Sequence, residues 1–156
     1  MKKIGFTIGK FAPLHKGHQY LIEMALKQMD EFYVVIYDTD VIDIPIEKRA
    51  KWIKILYPTV KILYAYNSPK EYGLDKKSIQ IQMTYLKEII GDIPFTHFYS
   101  SEEYGKYVAQ DLEITEVKTD QNRRKYPIGG TQIRKDFEKH KNFLESIVYE
   151  DMKKYI

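Results

Sequence analysis

Two stretches of this chain carry residue types suited to handling a phosphate. Near the N-terminus, Gly9-Lys10-Phe11-Ala12-Pro13-Leu14-His15-Lys16-Gly17-His18 brings together two glycines, two lysines and two histidines three positions apart. Much later, Pro127-Ile128-Gly129-Gly130-Thr131-Gln132-Ile133-Arg134 combines glycines, a hydroxyl and an arginine. If a helix starts inside each stretch, its first N–H groups point outward with partial positive charge, and glycines let an anion approach the main chain. The rings of His15 and His18 add donors. Arg134 falls about one turn into its helix, close enough to fork onto phosphate oxygens.

Other readings of these residues are weaker. Gly5-Phe6-Thr7-Ile8-Gly9-Lys10-Phe11 is near a P-loop, but one residue is missing between the glycines and Phe11 stands where Ser or Thr would ligate Mg²⁺. Two histidines three apart could begin a zinc site, yet a third ligand is absent nearby, so no metal-ligating set is assigned. A lone histidine would by default cap a helix or satisfy a loop carbonyl. The second glycine-rich stretch with its arginine is what outweighs that default. The segment from Lys118 to Lys125, with Arg123 and Arg124, is the most cationic part of the chain, and reads either as a solvated loop or as an anion-facing one.

The elements that must position these residues alternate. Lys3 to Ile8 reads as a buried strand, followed by the glycine-punctuated loop and a helix from His18 to Met29 with Leu21, Ile22, Ala25, Leu26 and Met29 on one face. Strands are predicted at Phe32 to Tyr37, Val60 to Tyr66, Phe95 to Tyr99 and Ile114 to Thr119. Helices are predicted at Ile46 to Tyr57, Leu74 to Ile90, Glu102 to Gln110, Thr131 to Lys139 and Leu144 to Tyr155. This alternation predicts an α/β fold, a single doubly wound, Rossmann-like domain over residues 1–156 with a mostly parallel five-stranded sheet. Ligands of such sheets bind beyond the carboxyl ends of the strands.

Composition narrows the function further. A chain of 156 residues with 44% hydrophobic and 30% charged residues is globular and sized for one core. It has no cysteine, which removes disulfides and thiol chemistry and fits a reducing compartment. The apolar stretch after Lys2 and Lys3 is too short for a secretory leader, and no run reaches the roughly 18 apolar residues of a membrane span, so a cytoplasmic location is expected. The net charge of +3 gives no nucleic-acid footprint.

His15-Lys16-Gly17-His18 matches the HxGH signature of the nucleotidyltransferase superfamily, within the pattern GxFxPxHxGH at Gly9, Phe11, Pro13, His15, Gly17 and His18. Ile128 to Arg134 resembles its second signature, ISGTxIR. The nearest resemblance is to NadR-type NMN adenylyltransferase domains, through Pro45-Ile46-Glu47-Lys48-Arg49-Ala50-Lys51-Trp52, the segment Tyr99 to Gly105, and Asp120 with Arg123. It implies an adenylyltransferase that joins ATP to NMN, releasing NAD and pyrophosphate, with Mg²⁺ held mainly by the phosphates. His15, His18 and Arg134 would stabilise the transferred charge. Gly9, Lys10, Phe11, Gly17, Arg123, Gly130 and Thr131 would line the nucleotide and its phosphates, with the base against Ser100. Arg49, Trp52 and Tyr72 would meet the acceptor.

The sequence departs from that pattern at Gly129, where serine is usual, and between Gly73 and Ser78, where tryptophans are usual and Leu74 and Lys77 stand instead. A flat aromatic for the pyridine ring would then be Trp52 or Tyr72. The same signatures serve cytidylyltransferases and other adenylyltransferases, so CTP and a different phosphorylated acceptor stay open, as does a homo-oligomer. A nucleotide-binding regulator is the third reading, which a helix-turn-helix segment ahead of the first strand would favour.

Overall fold

The computed structural model describes residues 1–71, 73–120 and 123–155. Five strands, β1 (Ile4–Gly9), β2 (Glu31–Tyr37), β3 (Lys61–Ala65), β4 (His97–Ser100) and β5 (Thr115–Lys118), form one sheet in the order β3-β2-β1-β4-β5. Every pairing is parallel. Helices α1 (Lys16–Gln28), α2 (Ile46–Leu56), α3 (Lys76–Ile90), α4 (Gly105–Leu112), α5 (Gly130–Lys135) and α6 (Ser146–Met152) cover both faces. None of them is long and apolar enough to cross a membrane.

The period-two alternation of β2 shows how two cores arise from one strand. Phe32, Val34 and Ile36 join α1, α2 and α6 in one buried cluster, while Val35 joins Met83, Leu86 and Ile90 of α3 on the other face. A strand buried on both sides reads as the continuous apolar run seen in the sequence. From β1 the chain moves outward to β2 and β3, then returns to place β4 on β1's other side. This reversal opens a crevice between the carboxyl ends of β1 and β4.

The two closing helices differ from expectation. The predicted helix from Thr131 to Lys139 stops at Lys135, with Asp136 outside the helical region (φ −144°, ψ 77°), and a 3-10 helix Glu138–Phe143 follows. The break turns Phe137 inward, where it is buried and stacks on Tyr149 at 5.0 Å. The ring joins the same core cluster as Ile133 of α5.

Candidate functional site

The crevice is a cleft of about 600 Å³, and both glycine-rich stretches reach it. On the first, β1 ends at Gly9 and the chain turns through Phe11, which holds a left-handed conformation (φ 51°) and tucks its ring under the loop, 3% exposed. The Ala12–Pro13 peptide is cis. Phe11 meets the ring of His18 edge-on at 4.7 Å.

His15 is the N-cap of α1. Its Nδ1 accepts from the N–H of Gly17 at 3.1 Å, and Nδ1 of His18 accepts from the N–H of His15 at 3.1 Å. Capping therefore fixes both rings: each Nδ1 is an acceptor, so each ring carries its proton on Nε2. The rings stack at 3.7 Å. Burial, with the nearby Arg123 charge, lowers His15 to about 3. Burial, His15 and Arg123 also hold His18 well below its ordinary value. Both histidines are thus neutral N–H donors at physiological pH. A Cβ at position 17 would lie 2.9 Å from Cε1 of His15, so glycine there gives the ring its place.

On the second stretch, Gly129 and Gly130 open α5 and Arg134 turns back to the first loop. Its Nη1 donates to the Ala12 carbonyl at 2.6 Å, and its Nη2 to Oγ1 of Thr131 at 3.2 Å. A Cβ on Gly130 would sit 2.9 Å from Arg134 Nη1 and 3.3 Å from the Ala12 oxygen. Glycine is what lets the two loops come this close. Ser100, buried at the end of β4, caps the next turn by accepting from the N–H of Glu102 at 2.9 Å. Arg123 donates to the Ile128 carbonyl at 2.9 Å and pairs with Glu102 at 2.9 Å. Gly9, Lys10, Phe11, His15, Gly17 and His18 line the cleft from the first stretch, and Ser100, Arg123, Gly130, Thr131 and Arg134 from later segments.

The residues expected to meet the acceptor are placed differently. Trp52 is 1% exposed in the core, and its Nε1 donates to Asp151 of α6 at 2.7 Å, so its ring has no face toward the cleft. Arg49 is also buried. It donates to the carbonyls of Ile44 at 3.1 Å, Tyr37 at 3.0 Å and Lys10, tying the ends of β1 and β2 together beneath the cleft. Backbone carbonyls and a carboxylate already take these donors, and neither residue is among those lining the cleft. Tyr72 lies outside the described residues, although Glu71 and Gly73 line the cleft. Lys16, between the two histidines, pairs with Glu145.

Residues not singled out from the sequence fill the cleft's other wall. Ile79, Met83 and Leu86 of α3 and Val108 of α4 are joined there by Tyr37, Tyr104 and Tyr107. Burial raises Tyr37 and Tyr104 above the usual phenol range, so their hydroxyls stay protonated donors. Tyr37, the last residue of β2, was accessible to reasoning, since side chains at carboxyl strand ends border ligands in such sheets. The inward face of α3 was not, because its apolar stripe reads the same whether it meets core or cleft.

Fold and cleft together define a Rossmann-like α/β domain with an open cleft at the carboxyl ends of its parallel strands. Solved structures with the same fold include NadR protein in complex with NAD and AMP-PNP (TM-score 0.63, 23% identity, 92% of this chain and 44% of that one). A second is the bifunctional NMN adenylyltransferase/ADP ribose pyrophosphatase of Francisella tularensis complexed with AMP and a Mn ion (TM-score 0.61, 18% identity, 90% and 42%). The family model described as Citrate lyase ligase C-terminal domain matches residues 5–72. The trifunctional NAD biosynthesis/regulator protein NadR of Salmonella typhimurium is 29% identical over 153 residues, covering 86% of this chain and 37% of that protein. The chain is similar to these NadR proteins over one part of their length, and spans little more than a third of the curated relatives it matches.

Proposed function

We propose that residues 1–156 form a nucleotidyltransferase domain that transfers AMP from ATP to NMN, giving NAD and pyrophosphate. The observation that carries this reading is the meeting of two neutral Nε2–H donors, His15 and His18, with Arg134 and Thr131 in one cleft. An oxygen of the acceptor phosphate attacks the α-phosphorus, the bond from that phosphorus to the bridging oxygen breaks, and pyrophosphate leaves with the bonding pair. Charge grows on the leaving phosphates, and preformed donors aimed there lower the barrier. Arg134 and Thr131 hold the β- and γ-phosphates. His15 and His18 donate without being ionised, so they stabilise charge and take no proton.

Among the described residues no three His, Asp or Glu side chains converge as an ion site. A divalent cation, Mg²⁺ in this reading, fits as an ion carried on the triphosphate oxygens, where it would neutralise phosphate charge. The wall built by α3 and the start of α4 supports the acceptor assignment. Its described lining residues include no lysine or arginine, and its phenol hydroxyls stand among aliphatic side chains. Such a wall suits a flat ring bearing an uncharged polar substituent, and suits a polyol poorly.

The test is pyrophosphate release from ATP with NMN, with nicotinic acid mononucleotide, and from CTP with glycerol phosphate. Turnover is expected with ATP and NMN. Turnover only with CTP and the polyol phosphate would replace this reading by a cytidylyltransferase.

A further inference from the structure

One ion pair in the cleft has no part in the transfer just described. Arg123 follows β5 and Glu102 follows β4, so the pair joins the loops that bracket the carboxyl ends of these two strands. Both side chains line the cleft, and both are close to half exposed, at 43% and 48%. The Arg123 charge reaches His15 and His18 strongly enough to help keep both rings neutral. A guanidinium near the phosphate-binding rings is therefore committed, through Nη2, to a carboxylate.

Position 129 shows how closely that guanidinium is fitted. A Cβ on Gly129 would lie only 2.3 Å from Nη1 of Arg123, and the same Nη1 donates to the neighbouring Ile128 carbonyl. Arg123 thus occupies the volume that any side chain at 129 would need, in a loop where the resembling signature carries serine.

We propose that Glu102 is a positioning residue that holds Arg123 over Gly129 until nucleotide enters, and then yields it to the nucleotide's phosphates. The proposal rests on the nucleotidyltransferase reading of the cleft. A half-exposed ion pair is a weak competitor, whereas a triphosphate offers several anionic oxygens to the same planar fork. Partner exchange therefore runs toward the nucleotide. Until it is complete, the Glu102 carboxylate withholds a donor and repels the incoming charge. Glu102 accordingly lowers nucleotide affinity, and neutralising it raises that affinity. A pair that only braced the two loops would do the opposite, since its loss would loosen the site.

The experiment is a calorimetric titration of Mg-ATP into the wild-type chain, Glu102→Gln, Arg123→Met and the double variant. Glu102→Gln is expected to tighten binding about two- to fivefold, the range that an exposed pair can return. Arg123→Met should weaken binding, and the double variant should match it, because the carboxylate acts only through the guanidinium. Gly129→Ser, which must displace Arg123 without touching its charge, should also weaken binding and abolish the gain from Glu102→Gln; it carries the test should Arg123→Met fold poorly. Unchanged or weaker binding in Glu102→Gln, or a gain that survives in either background, overturns the proposal. A wild-type chain that binds no ATP removes the nucleotidyltransferase reading together with this proposal, whereas ATP binding that is indifferent to Glu102 removes the proposal alone.

Discussion

His18 shows how much one side chain is asked to do here. Its Nδ1 closes the capping box on the His15 N–H, and that bond leaves Nε2–H as its remaining donor. If the donor acts on charge that develops during transfer, His18→Ala lowers kcat by about 10²–10³-fold, roughly 3–4 kcal/mol. Loss of the cap costs stability as well, about 1 kcal/mol. Rate per folded molecule separates the two: a variant that is less stable but retains its kcat would make His18 a cap and nothing more. The histidine spacing and the flanking glycines were legible because a cap, a tautomer and a close approach depend on neighbours within one turn.

At the scale of elements, α2 is the helix its periodicity predicts, and its Trp52 and Arg49 lie in the core and not along the cleft. Its Trp52 and Arg49 are polar-headed side chains on a half-apolar helix, a pattern equally suited to a cleft or a core. Which one they meet depends on α6, which brings Asp151 to the indole across 99 positions of sequence, and on β1 and β2, whose terminal carbonyls Arg49 gathers. Trp52→Phe should cost on the order of 1–2 kcal/mol by leaving Asp151 without its buried donor. The KM for NMN should stay unchanged. Trp52 fluorescence, from the sole tryptophan of the chain, should likewise fail to respond to NMN in the wild-type protein. Saturable quenching by NMN would return Trp52 to the acceptor site.

For the whole molecule, the neutral histidines make stability depend on pH. In the unfolded chain a histidine titrates near its ordinary value of 6.5, while His15 in the folded protein titrates near 3 and His18 well below 6.5. Between those limits the unfolded state binds more protons, so stability is full above about pH 6.5 and falls as pH drops through this window. The slope approaches ~1.4 kcal/mol per pH unit for each histidine. Chemical denaturation between pH 7 and 5 checks this above the range where carboxylates titrate, and a flat profile there would mean that the rings are not buried as neutral groups.

The amino-acid sequence alone determined the alternation of strands and helices and the two glycine-rich loops that carry His15, His18 and Arg134, because periodicity, capping and glycine placement are local properties. Tertiary structure decided which side chains share a space. Strand order put the crevice between β1 and β4, and the loops joined through Arg134 and the Ala12 carbonyl lie 122 positions apart. The same packing sent Trp52 and Arg49 into the interior and brought Tyr37 and Tyr104 to the cleft. An apolar or amphipathic side chain specifies that it must be covered, but its covering surface belongs to distant segments, and only their packing together supplies it.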